Sequence, residues 1–188
     1  MTERCPWCGT DPLYVRYHDT EWGVPLHDDT RLFEFLTLET FQAGLSWFTI
    51  LKKRENFRAA FDGFSPTKVA RYTDADVAKR MTNAGIVRSE PKIRAALQNA
   101  RSFLALQEQH GSFDRYIWGF VDGAPLVNHR KKLSDIPATT PLSEKITKDL
   151  KHHGFKFIGA TVTYAHMQAT GMVNDHLVGC PRHTAVQA

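Results

Sequence analysis

The chain has 188 residues, 42% of them hydrophobic, and a formal net charge of +4, which is enough apolar content for one well-filled core and argues against a disordered or fibrous chain. No apolar run approaches the roughly 18 residues of a membrane span, and the start, Met1-Thr2-Glu3-Arg4, is charged, so a single cytoplasmic unit is expected rather than a secreted or membrane-inserted one. An odd set of three cysteines, Cys5, Cys8 and Cys180, fits reduced thiols or a metal site better than a disulfide framework; the positive charge permits a polyanionic partner without demanding one.

In chain order the patterns are mostly helical. Asp28 or Asp29 can cap a helix with apolar positions Leu32, Phe33, Phe35 and Leu36 that ends before Gly44. Ser46 can cap a second helix from Trp47 to about Phe61, and Ser65-Pro66 opens a short one with proline at its first position. Thr73-x-x-Asp76 has the form of a capping box for residues 74–83, stopped by Gly85. A longer helix follows Pro91 and carries Ile93, Leu97, Ala100, Phe103, Leu104 and Leu106 before Gly111. After an irregular stretch from Pro125 to Pro141, LSEKITKDLKHHG reads as an amphipathic helix closed by Gly154. The apolar run FIGATVTYAHMQATG is compatible with a buried helix or a strand, and helix is preferred because Gly159 and Gly171 bracket it. The expectation is an all-α fold without repeats, with a short disordered polar tail over 184–188.

The segment ERCPWCGTDPLYVRYHDTEWG gathers two cysteines, a histidine, two tryptophans and two tyrosines. Cys5-Pro6-Trp7-Cys8 has no preceding strand, as a thioredoxin-like motif requires. His18 is followed by Asp19-Thr20 rather than the x-Glu of a zinc deaminase. At the other end, His176 and Cys180 lie four apart and can converge on one point. Cys5, His18, His176 and Cys180 would make a tetrahedral Cys2His2 zinc site from both termini, and on spacing Cys5, Cys8, His176 and Cys180 would do equally well.

The segments DPLYVRYHDTEWGVP, LETFQAGLSWFTILKKRENFRAAF, AGIVRSEPKI and GFKFIGATVTYAHMQATGMVNDHLVGC closely resemble the 3-methyladenine DNA glycosylase I family of bacterial base-excision enzymes, from Arg4 to Cys180. The resemblance implies a helix-hairpin-helix glycosylase fold over residues 1–183, with the hairpin pair around 74–109. It also implies one structural zinc on Cys5, His18, His176 and Cys180, joining segments 5–18 and 176–180 and leaving Cys8 as a spare thiol.

Within that resemblance the Ala84-Gly85-Ile86 turn becomes a candidate backbone phosphate site, with Gly85 and Ile86 as DNA contacts, although alone it is compatible with a plain αα-hairpin. Glycosylases with this motif are expected to carry a catalytic Asp some twenty residues after it, yet residues 100–110 hold Glu108 and no Asp. Adenine methylated at N3 is already cationic and leaves as a neutral base, so it asks for extrusion and grip more than for acid catalysis. Glu39 falls seven residues after Leu32 and three after Leu36, on the apolar stripe of its helix, where a carboxylate is costly unless paired; Glu34 reads as an ordinary solvated residue. The family's base-contacting glutamate maps onto Glu39, and its aromatic pocket onto Trp7, Tyr14, Tyr17, Trp22 and Trp47. Trp47 is expected to stack on the base and Tyr17 to hydrogen-bond it, with Glu39 and Tyr17 as the catalytic pair. Gly44-Leu45, between two helices, suits a wedge filling the gap left by an extruded nucleotide, or equally a leucine buried after a helix end. Basic runs at Lys52-Lys53-Arg54 and Arg130-Lys131-Lys132, and Lys145, Lys148, Lys151 and Lys156, are mostly expected to be solvated faces. The resulting expectation is a monomeric, monofunctional glycosylase that hydrolytically removes 3-methyladenine from double-stranded DNA, without lyase activity. The rivals are a non-catalytic DNA-binding helix-hairpin-helix module and a zinc-dependent hydrolase.

Overall fold

Prolines and capping side chains set most of the helix starts in the computed structural model, which describes residues 3–187; Met1, Thr2 and Ala188, part of the expected charged start and polar tail, lie outside the described residues. Helix α1 (Pro12–Thr20) begins with Pro12 at its first turn and Asp11 accepting from the Leu13 N–H. The sequence pattern had no signal for this helix, because its aromatics face a cavity instead of forming a stripe. Helix α2 (Asp29–Gln42) is capped by Asp28, which accepts from the Arg31 N–H at 2.9 Å. The expected helix from 47 to 61 is two helices, α3 (Trp47–Lys52) and α4 (Arg54–Ala60), because Lys53 at φ −97° and ψ 0° leaves helical geometry. Short α5 (Pro66–Val69) leads to α6 (Asp74–Met81), where Thr73 and Asp76 form the predicted capping box. The 21-residue α7 (Glu90–His110) runs to Gly111 in the left-handed conformation, and α8 (Phe113–Trp118) follows.

Helices α9 (Pro141–His152) and α10 (Ala160–Ala169) match the two C-terminal patterns, and α11 (Pro181–Ala185) closes the described chain. The last of these corrects the expectation of a disordered tail from residue 184. Pro181 starts the helix, Asn174 donates to the His183 carbonyl at 2.9 Å, and Val186 is buried. A second correction is small: β1 (Leu126–Val127) pairs in parallel with β2 (Val173–Asn174), Leu126 opposite Val173, inside the stretch read as irregular. Short-range patterning does not reveal a two-residue strand whose partner lies so far along the chain.

Helix α2 is the axis of the core. Every residue from Leu32 to Phe41 is buried, with Phe33, Phe41 and Leu38 packed among Phe57 of α4, Phe61 just after it, Phe103 of α7 and Tyr164 of α10. A helix buried all round has no wet face, so Glu34 is not the solvated residue expected from the stripe. It is 5% exposed and accepts from Arg54 at 2.6 Å and from Arg58 at 3.0 Å. Arg54, read as part of a basic surface run, is turned inward to make that pair and another with Glu21 at 2.8 Å. Such a pair is held together by geometry, since breaking one side leaves a buried charge alone. Among the described residues no helix is long and apolar enough to cross a membrane.

Candidate active site and metal cluster

The C-terminal half of α2, α1, the start of α3, and α10 enclose a cavity of about 330 Å³. Glu39, Tyr14, Tyr17, Trp7, Trp22 and Trp47, all named from the sequence, line it. The rings form one packed set. Trp7 lies 4.9 Å from Trp22 and 5.1 Å from Tyr14, and Tyr17 lies 5.4 Å from Trp47, which stacks on Phe35 behind it. Sequence reasoning missed Gln42, Leu133, Ile136, Ala165 and Gln168. Gln42, one turn after Glu39, and Ala165/Gln168, three apart on α10, share spacings that would have pointed to them once the helices were known. Leu133 and Ile136 come from the irregular segment and had no signal.

Glu39 is 4% exposed, and among the described residues it has neither a hydrogen-bond nor an ion-pair partner. That isolation separates it from Glu34, buried to the same degree on the same helix but held by two arginines. Burial alone pushes the Glu39 carboxyl up to about 8, which favours the neutral acid near pH 7 and favours any cation able to bring back its charge. Burial, with Glu39 adding to it, raises the Tyr17 phenol well above its usual range and keeps it a hydrogen-bond donor. Glu108 is exposed on α7 and lines no part of this cavity.

Gly44 and Leu45 sit at the rim, between cavity-lining Gln42 and Trp47. Gly44 has φ +82°, a conformation glycine adopts freely, and Leu45 is 41% exposed, so the leucine is not buried after the helix end. Lys92, at the start of α7, donates to the carbonyls of Phe41 at 3.0 Å and Ala43 at 2.6 Å and fixes the end of α2 just before this loop. The turn between α6 and α7 differs from the expected row of free amides. The Gly85 N–H donates to Asn83 Oδ1 at 2.8 Å, the Ile86 N–H points to the Asn83 carbonyl, and the Ile86 side chain is buried. Just beyond, Ser89 supplies no side-chain cap to α7, and since Pro91 has no N–H and the Ile93 N–H bonds the Ser89 carbonyl, the amides of Glu90 and Lys92 are the donors left at this helix start.

The second constellation is at the joined termini. The ligand atoms of Cys5, His18, His176 and Cys180 lie within 4.8 Å of one another, all buried, and this group could hold a metal ion. Cys8 does not belong to it; its thiol donates to the Cys5 carbonyl at 3.2 Å. The alternative set containing Cys8 is thereby removed. His18 Nδ1 faces Asp19 at 2.8 Å and His176 Nε2 faces the Trp22 carbonyl at 2.9 Å, so each ring is oriented by an outer acceptor and turns its other nitrogen to the cluster. Burial pushes the Cys5 thiol up to about 12 and His176 down to about 4. The imidazole is a ready neutral ligand, and a thiolate at Cys5 needs a cation beside it.

The family model described as methyladenine glycosylase matches residues 7–183. The chain is 50% identical over 178 residues to DNA-3-methyladenine glycosylase 1 of Escherichia coli (strain K12), covering 95% of both. It is 46% identical over 185 residues to DNA-3-methyladenine glycosylase of Haemophilus influenzae, covering 98% of this chain and 100% of that one. A crystal structure of a variant of 3-methyladenine DNA glycosylase I in complex with 3-methyladenine is similar with a TM-score of 0.93 at 37% identity, over 98% of this chain and 97% of that one. Similarity of this extent, running through the helices that build the aromatic cavity and through both ends of the metal-ligand cluster, establishes that the chain belongs to the methyladenine glycosylase family.

Proposed function

We propose that this glycosylase receives an extruded 3-methyladenine nucleotide from duplex DNA in the aromatic cavity and hydrolyses its glycosidic bond. The observation that carries the reading is Glu39, a buried and unpartnered carboxyl in a cavity otherwise walled by indole and phenol rings. Aromatic faces attract a cationic ring, and the carboxylate supplies the charge partner that neutral adenine cannot exploit equally. Trp47 stacks on the base and Tyr17 donates to it. As the N9–C1′ bond breaks, its electron pair passes to N9 and cancels the positive charge of the base. A water oxygen then bonds to C1′ and gives up a proton, leaving an abasic site. The protein's own work is to exclude solvent, orient the ring and stabilise the departing charge.

On the DNA side, Leu45 occupies the place vacated in the helix stack, and the open N-terminus of α7 meets a backbone phosphate, so the α6–turn–α7 pair acts as the helix-hairpin-helix anchor. Gly85 serves this anchor through space, since a Cβ there would lie 3.0 Å from Asn56 and from Asn83. Replacing Gly85 by valine is expected to displace the turn and weaken binding to all duplexes alike, about tenfold, because phosphate contacts carry no sequence information. An unchanged affinity for an abasic-site duplex, read by fluorescence anisotropy, would remove the turn from the anchor. Leu45→Ala is expected to slow excision from duplex DNA by tenfold or more and to leave the affinity for free 3-methyladenine unchanged. Equal losses in both assays would make Leu45 a wall of the cavity instead of a wedge.

The Cys5, His18, His176 and Cys180 cluster is read as a structural zinc site. Tetrahedral zinc with Zn–S of about 2.3 Å and Zn–N of about 2.0–2.1 Å sets S···N separations of about 3.6 Å. The pairs Cys180–His18, Cys5–His176 and Cys180–His176 lie at 3.5, 3.6 and 3.8 Å, and all four ligand atoms lie within 4.8 Å of one another, so three of the six separations match the ion directly and the donor chemistry suits it. Four protein ligands fill its coordination, so its contribution is to tie the two ends of the chain together. The protein is read as working as a monomer in the cytoplasm. The whole reading is tested by counting abasic sites formed in methylated duplex DNA, with strand breaks counted separately; abasic sites without breaks are expected.

A further inference from the structure

Asp175 follows β2, is fully buried, and is surrounded by side-chain donors. Asn128 donates to its Oδ1 at 2.8 Å, Gln168 Nε2 donates to its Oδ2 at 2.8 Å, Tyr164 donates to the same oxygen, and Arg130 Nε lies 3.5 Å from Oδ1. One of these donors, Gln168, also lines the aromatic cavity. A carboxylate can only accept hydrogen bonds, so the carboxamide of Gln168 is locked with its NH2 toward Asp175. Asp175 takes one hydrogen of the NH2 group, and the oxygen Oε1, which has no partner among the described residues, is then the acceptor that Gln168 has left to offer the cavity it lines. An unopposed acceptor in a wall of aromatic rings has a chemical preference. Adenine carries a donor amino group at position 6, and guanine carries an acceptor oxygen at the same place.

We infer that Gln168 is a specificity-determining residue that accepts a hydrogen bond from the 6-amino group of the bound purine, and that Asp175 is the positioning residue that fixes its carboxamide. This rests on the reading of the cavity as the base site. It adds a reason why the cavity prefers adenine-derived over guanine-derived bases carrying the same N3-methyl group, a choice that stacking and Glu39 alone leave open, since every purine offers a ring face and either methylated nucleoside is cationic. Without Asp175 the amide could turn over and offer its NH2 to a 6-oxo group, so the buried carboxylate works by forbidding that orientation.

The test is a pair of titrations of the full-length protein, with free 3-methyladenine and with free 3-methylguanine. Gln168 is only partly buried, and Gln168→Met keeps its length while removing the acceptor. The variant is expected to bind 3-methyladenine about tenfold more weakly and 3-methylguanine as well as or better than wild type, so that the ratio of the two affinities collapses. Asp175→Asn, checked for unchanged metal content, is expected to lower the same ratio. A merely structural role would weaken both bases together. An unchanged affinity ratio in Gln168→Met therefore overturns the inference. If Trp47→Ala and Glu39→Gln also leave the affinity for both bases at wild-type level, it is the assignment of the cavity that fails, and Gln168 with it.

Discussion

Glu39→Gln is expected to slow single-turnover excision of 3-methyladenine from methylated duplex by a factor of roughly 10 to 150, the equivalent of a charge-assisted hydrogen bond of about 1.5–3 kcal/mol. The substitution keeps the shape of the side chain and removes its charge. If the interaction strengthens as the glycosidic bond breaks, the loss falls on the chemical step, and if it is uniform it falls on binding alone. Affinity for the free base is expected to fall as well. Metal content is expected to stay at the wild-type level. Stability adds a second readout with a definite sign. The Glu39 carboxyl titrates near 8 in the folded chain against an ordinary 4.5, so between these values the folded state holds a proton that the unfolded chain has released. Wild-type stability is therefore lost as pH rises through this window, by about 3 kcal/mol at pH 7, and no further above pH 8. The melting temperature of Glu39→Gln is expected to exceed that of wild type by an amount that grows from pH 5 to pH 8. Capture of the cationic nucleotide displaces the proton from Glu39, so wild-type affinity for methylated duplex should tighten over the same range and that of the glutamine variant should not. A flat difference in melting temperature would show that the carboxyl is not held protonated in the free protein.

Cys180→Ser is expected to remove the metal altogether. Wild type should carry one zinc per chain, the Ser variant close to none, and Cys8→Ser one. Loss of the ion releases the link between the N-terminal segment at Cys5 and His18 and the C-terminal segment at His176 and Cys180. The cost is expected to be about 3 kcal/mol or more, as for an ion held at about a hundred times its dissociation constant or above, which for a chain of this length lowers the melting temperature by about 6–12 °C. Cys8→Ser keeps a hydroxyl in place of the thiol that donates to the Cys5 carbonyl and is expected to melt near wild type. A chelator should lower the melting temperature of wild type and of Cys8→Ser and leave Cys180→Ser where it is. Metal loss from Cys8→Ser alone would overturn the ligand assignment, which rests on Cys8 facing a backbone carbonyl while the other two thiols face imidazole nitrogens.

Local signals in the sequence were sufficient where a side chain acts on its own neighbourhood. Asp28, Ser46 and Thr73 cap the helices they were expected to cap, and Gly111 ends α7. The roles of the two glutamates on α2 were only half legible. The stripe argument set Glu39 apart from Glu34, but α2 is buried on every side, and what distinguishes them is the pair of arginines that reach Glu34 from α4. No spacing within α2 contains that information. The five pocket aromatics were assigned through the family resemblance and do line one cavity, whereas Gln168, Leu133 and Ile136 enter it from segments more than 80 residues further on than Trp47. The turn at Gly85 shows the opposite limit. Its glycine was expected as a backbone phosphate contact, whereas in the structure its amide already donates to Asn83 Oδ1 and a Cβ there would crowd Asn56 and the Asn83 side chain.

The central claim is that the carboxyl of Glu39 and the rings around it hold an extruded cationic adenine while its glycosidic bond is hydrolysed. The most direct measurement is chromatographic identification of the free bases released from methylated duplex DNA by wild type and by Glu39→Gln under single-turnover conditions. The account predicts 3-methyladenine as the main product of wild type, with one abasic site for each base released, and the same product formed at least tenfold more slowly by the variant. Release of no base by wild type, or of 3-methyladenine at equal rates by the two proteins, would contradict it.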